Sequence, residues 1–98
     1  MSKILHVVAH IEAAEGHEDL VRKTLEGYCE PTRAEAGCLR YDLFQDLNNP
    51  RQFTFVEEWE SAEHLAAHAQ SAHLNAGRAI LDGKLAKPNW VQKLEQIR

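Results

Sequence analysis

The sequence predicts an α+β fold: an antiparallel sheet with helices on one face, in the order β-α-β-β-α-β. Three observations predict it. Apolar residues alternate near the N-terminus and then switch to steps of three and four. Two further alternating runs flank a turn rich in Asn and Pro. A serine-led helical run follows, and then a last short alternating run.

Strand one is expected over Lys3–Ala13. Leu5, Val7, Ala9 and Ile11 share one face, and Ile4, His6, Val8, His10 and Glu12 share the other. From about His17 the period changes. Leu20, Val21, Thr24, Leu25, Tyr28, Cys29 and Thr32 form one apolar stripe on a helix. Pro31 lacks a backbone donor, so a kink or break is expected near Gly27–Glu30, with Gly37 as a stop. "CLRYDLFQD" reads as strand two, with Leu39, Tyr41 and Leu43 on one face. "LNNPR" is the turn of a hairpin. "QFTFVEEWE" is strand three, where Phe53, Phe55, Glu57 and Trp59 share a face.

Ser61 is a good N-cap for a second helix running to about Gln70. On a wheel of about 100° per residue, Ala62, Leu65, Ala66 and Ala69 form its buried face, with His68 at the edge. "SAHLNAGRAILDGKL" continues helically in part and ends at Gly83, and "PNWVQKLEQI" is the last strand. This order is the split βαβ, or ferredoxin-like, pattern. Strand one is apolar on both faces, so a second copy of the chain is expected to cover the open sheet face.

Composition narrows the partners. A chain of 98 residues is expected to form one small domain, over residues 1–98. Fifteen acidic against 11 basic residues give a net charge of −4, and no Lys/Arg run occurs, so nucleic acid is not an expected partner. His6 and His10 break the N-terminal apolar run, and nothing approaches the roughly 20 apolar residues of a membrane span. A cytoplasmic location is expected. Cys29 and Cys38 lack any metal-binding or redox spacing and read as small buried hydrophobes.

Candidate chemistry concentrates in Phe55–Leu74, which holds three of the six histidines. His64 and His68 are four apart, but HLAAH lacks the internal Glu of HExxH, so a wet helix face is favoured over a metal site. His68, at the helix edge beside the sheet, is a candidate acid/base near neutral pH. His73, near a break at Ser71, is a second, alongside its bland role of bonding backbone. Trp59 reads either as core packing with Phe55 or as a wall that stacks on a planar ligand. Glu57 between them is costly to bury unless paired or partly wet, which points to a polar pocket, with Arg40 and Asp42 as neighbours.

The stretch "EAGCLRYDLFQDLNNPRQFTFVEEWESAEHLAAHAQSAHL" resembles the central signature of the antibiotic biosynthesis monooxygenase family. The resemblance rests on Gly37-Cys38, Glu57-Glu58-Trp59, Ser61, His64-Leu65, Ala67-His68 and Ala72-His73. It implies a dimeric α/β barrel of two ferredoxin-like chains, with a pocket between sheet and helices. Some members oxidise phenols to quinones with oxygen and no metal or flavin. Others are quinol monooxygenases, an isomerase of a phosphorylated quorum-sensing signal, or haem-degrading enzymes. Trp59 matches the strand-three Trp that lines the pocket of the polyketide-oxidising members, whose Asn and Tyr are replaced here by Phe55 and Leu65. The haem-degrading members' His and Trp fall near Arg78 and His68, so haem is not expected.

The resulting expectation is a homodimeric, cofactor-independent monooxygenase acting on a small quinol-like or phenolic compound. The alternatives are an isomerase of a small hydroxy-dione, or a binding barrel without catalysis. His68 and His73 are expected to be catalytic. Trp59, Arg40, Phe55, Glu57 and Leu65 are expected to bind substrate, with no metal and no cofactor.

Overall fold

Alternation and helical periodicity resolve into seven elements. These are β1 (Leu5–Glu12), α1 (Glu18–Arg33), β2 (Cys38–Gln45), β3 (Gln52–Trp59), α2 (Ala62–Ala69), α3 (Ala72–Leu81) and β4 (Trp90–Leu94). The computed structural model describes residues 3–98. The strands form one sheet in the order β2-β3-β1-β4, every neighbouring pair antiparallel. This is the expected ferredoxin-like arrangement.

The register assigns each strand residue to a face. On the helix side, rows run across the sheet as Leu43–Phe55–Ala9–Val91 and Tyr41–Glu57–Val7–Lys93. The core lies here: Val7, Ile11, Phe53, Phe55 and Trp59 pack against Val21, Leu25 and Tyr28 of α1. On the other face, Phe44–Thr54–His10–Trp90 and Arg40–Glu58–His6–Leu94 form rows that no helix covers. Phe44 and Trp90 stay 49% and 60% exposed, and Trp90 stacks on His10 with ring centroids 5.1 Å apart.

Several expectations change in detail. Helix α1 runs unbroken through Pro31. Gly27, whose carbonyl loses its partner, is exposed, so water can satisfy that group. In the α1 stripe Val21, Leu25, Tyr28 and Thr32 are buried, while Leu20 lies at the edge, 38% exposed. A bulge between Cys38 and Arg40 ejects Leu39 from its expected face. Cys29 and Cys38 are free thiols, half-buried against the core rather than fully inside. The last strand is shorter than expected.

Helix α2 departs most. Its one buried residue is His68, while Ala62 and Ala66, expected on the packed face, are exposed. They face a cavity instead of core. Ser61 caps α2 by accepting from the His64 amide at 3.2 Å, and Ser71 starts α3 in the same way. No helix among the described residues is long and apolar enough to cross a membrane.

Candidate active site

The apolar side of α2 and the helix face of the sheet enclose a cavity of about 630 Å³. Leu65, Ala66 and Ala69 form its helical wall, and Phe55, Val7 and Ala9 form its floor. Tyr41 stacks on Phe55 at 4.5 Å, making the floor partly aromatic. Its buried polar lining is Tyr28, Tyr41, Glu57 and His68, and the exposed Arg78, Asp82, Lys87 and Lys93 also border it. Such a space, apolar with a small number of fixed polar groups, is the usual form of a small-molecule site.

His68 is 5% exposed and held from three sides. Tyr41 meets it edge-on at 5.3 Å, and Trp59 lies against it at 4.8 Å. Its Nδ1 is 2.8 Å from Glu35 Oε2. A carboxylate only accepts, so Nδ1 carries the proton and Nε2 keeps its lone pair. Burial holds the imidazole below its ordinary pKa, and the Glu35 contact opposes that shift. Burial thus favours the neutral form of His68, and the Glu35 contact fixes the orientation of its ring at the cavity wall.

Glu35 serves two histidines. His73 Nε2 lies 2.8 Å from the same carboxylate oxygen and 3.0 Å from Thr32 Oγ1. The ligand atoms of Glu35, His68 and His73 fall within 4.8 Å of one another, so the set has the residue types of a metal site. Its two 2.8 Å contacts are those of hydrogen bonds, and they satisfy the buried atoms with the groups already present. His64, the partner first considered for His68, instead pairs its Nδ1 with Ser61 Oγ at 2.7 Å.

Glu57 is 4% exposed and accepts from Trp59 Nε1 at 2.9 Å. Burial pushes its carboxyl up to about 7, with the Trp59 hydrogen bond opposing and the Glu35 charge adding. Near neutral pH it is split between acid and carboxylate. Tyr41 is pushed above the ordinary phenol value by burial and by Glu57, so it stays protonated.

The structure thus brings His68, Glu57, Phe55 and Leu65 to one cavity. Trp59 does not line it. The indole is fully buried behind Glu57 and His68 and holds both. His73 lies behind His68 and reaches the cavity only through Glu35. Arg40 and Asp42 lie on the opposite sheet face, as the pleat requires for neighbours of Tyr41. Arg40 bonds Asp42 at 2.7 Å rather than meeting Glu57. Sequence reasoning missed Glu35, Arg78 and Lys93. Glu35 follows α1 outside any periodic segment, and its partner is 33 residues away; no local pattern marks it.

The chain and its fold are similar to known proteins. The sequence model of the family described as antibiotic biosynthesis monooxygenase matches residues 4–79. The structure of PA3566 from Pseudomonas aeruginosa is 32% identical, covers all of this chain and 98% of its own, and superposes with a TM-score of 0.94. Rv0793 of Mycobacterium tuberculosis, provisionally named a monooxygenase, is 29% identical over 99% of this chain and 95% of its own. Its structure superposes with a TM-score of 0.90. A 61-residue stretch is also 31% identical to sll1783 of Synechocystis, an uncharacterised protein of which it spans 42%. By its family match and its similarity along the whole chain, the protein belongs to the antibiotic biosynthesis monooxygenase family.

Proposed function

We propose that the chain is a monooxygenase that oxidises a small phenolic or quinol-like compound with molecular oxygen, using no resident metal or flavin. The observation that carries this reading is His68: a buried imidazole whose Nδ1 is committed to Glu35, leaving Nε2 as the base on an apolar cavity wall. Such a base takes the hydroxyl proton of a bound phenol, and the phenolate then supplies electrons to oxygen. When a ring C–H of the phenolate becomes a carbonyl, one oxygen atom stays on the ring and the other leaves as water, carrying the ring hydrogen and the hydroxyl proton. Glu57, near its midpoint at neutral pH, returns the proton that water release requires. Phe55 and Leu65 sandwich the ring, and Trp59 acts as a positioning residue through Glu57. His73 shares the Glu35 carboxylate and holds it toward His68. Arg40 has no role in this scheme, because it stands on the other face of the sheet.

The same acid and base would serve an isomerase of a small hydroxy-dione, which moves a proton and needs no oxygen. A panel of quinols and hydroxy-diones, offered to chelator-dialysed protein in air and under nitrogen, separates the two. The oxidase reading expects turnover only in air. Turnover of a dione under nitrogen, with solvent proton exchange, would replace it with the isomerase.

The functional unit in this proposal is a homodimer joined through the uncovered sheet face, which exposes Phe44, Trp90 and Leu94. A cytoplasmic location accords with the two free thiols.

A further inference from the structure

The cavity's charge is one-sided, and this says something about its ligand. The chain as a whole carries a net charge of −4. Yet Arg78, Lys87 and Lys93 all line the cavity, against Asp82 and the half-protonated Glu57. Lys87 lies 3.5 Å from Glu12. Among the described residues Arg78 and Lys93 have no carboxylate within salt-bridge distance. Arg78 donates only to the Ala69 carbonyl and Asn75 Oδ1. Its charge is felt inside the site, at both Tyr28 and His68. Cations without partners beside an apolar cavity attract a complementary anion.

The sheet register supplies a ruler. Glu57, Val7 and Lys93 occupy one row on the cavity face, with Val7 on the strand between them. Strands lie about 4.8 Å apart, so the backbones of Glu57 and Lys93 stand roughly 10 Å apart. Apolar floor lies between: Val7 in the row, and Ala9 and Val91 in the next. His68 stands against Tyr41 and Trp59, at the Glu57 end.

Resting on the monooxygenase reading for the reacting end, we propose that the substrate is an acidic aromatic. Its hydroxyl meets His68 and Glu57, its ring lies on the apolar floor, and an anionic group at its far end meets Lys93, while Arg78, bonded beside His68 at Ala69, adds to the positive field of the cavity. The two ends of the cavity then do different work. The buried end handles the proton, and the cationic end selects and orients the ligand.

Binding tests this apart from turnover. Naphthoate and neutral naphthamide, titrated calorimetrically at low salt, share a ring system and differ in charge. The wild-type protein is expected to bind naphthoate about tenfold or more tightly than naphthamide, as expected for a charge-assisted contact. In the Lys93→Gln/Arg78→Gln variant the ratio is expected to fall to within about twofold of one. Circular dichroism establishes that the variant is folded, and Lys93→Gln alone, at an exposed site, gives a second, milder version. Equal binding of the two probes by wild type, or a preference that survives in both variants, overturns the inference. If naphthoate is preferred but no quinol consumes oxygen, the anionic subsite stands and the proposed oxidation fails. If neutral quinols consume oxygen and a carboxylated quinol gains nothing in KM, the oxidation stands and the subsite fails.

Discussion

His68 and Glu57 show how burial sets chemistry at the level of single residues. Both are nearly inaccessible, yet burial acts on them in opposite senses, lowering the imidazole and raising the carboxyl. For Glu57 the native carboxyl, near 7, holds its proton more tightly than the unfolded one does. The native state therefore binds the extra proton between about pH 4.5 and 7, and stability falls as pH rises through that window. By pH 8 the penalty is about 3 kcal/mol. Glu57→Gln keeps an acceptor for Trp59 and removes the charge, so it is expected to raise Tm by about 5 °C or more at pH 8, and by little at pH 4. A Tm difference that does not change with pH contradicts the buried-carboxyl account.

His68 makes the complementary prediction. The base must be neutral, so kcat/KM is expected to rise with pH and to level off below the ordinary imidazole value. Glu35→Gln removes the carboxylate that opposes the downward shift, so it is expected to move this limb to still lower pH and to reduce kcat. An unmoved limb would detach Glu35 from the base. His68 was legible in the sequence because a histidine at a helix edge beside a strand is an unusual choice. Glu35 was not, because what makes it matter is a tertiary contact between the end of α1 and α2.

Among the elements, the order was readable because period two and period three-to-four are imposed by the pleat and the helix themselves. What periodicity could not show was where an element meets empty space. Ala62 and Ala66 of α2 look like core residues on a wheel, but they face a cavity, so the apolar side of the helix lines open space rather than packed core. Leu39 likewise obeys alternation in the sequence and escapes it through a bulge. Gly37 carries a prediction at this scale. It has φ +82, and an added Cβ would come within 2.2 Å of His64 Cγ at the start of α2, while its carbonyl accepts the Glu60 amide at 2.9 Å. Gly37→Ala is therefore expected to destabilise the fold by more than about 2 kcal/mol, read as a lower urea midpoint. A midpoint unchanged from wild type would show that the junction can yield.

As a whole molecule, the chain has one sheet face covered by helices and one left open. Phe44, Trp90 and Leu94 lie on the open face, among the charged pairs of Arg40 with Asp42 and Glu58. In the proposed homodimer these apolar groups are covered by a second copy. Light scattering at micromolar concentration is expected to give twice the 11.1 kDa chain mass, and Trp90→Glu with Phe44→Glu is expected to lower it. A mass near 11.1 kDa for the wild type contradicts the proposed assembly.

In the proposed reaction a buried imidazole, rather than a bound cofactor, lets oxygen attack a phenolic ring. An oxygen-electrode trace with chelator-dialysed protein and a carboxylated quinol tests it most directly, with wild type and His68→Ala compared at saturating substrate. Uptake by the wild type is expected, with a loss of roughly two to four orders of magnitude in the variant. Uptake that disappears on dialysis and returns with a metal, or that His68→Ala leaves intact, would contradict it.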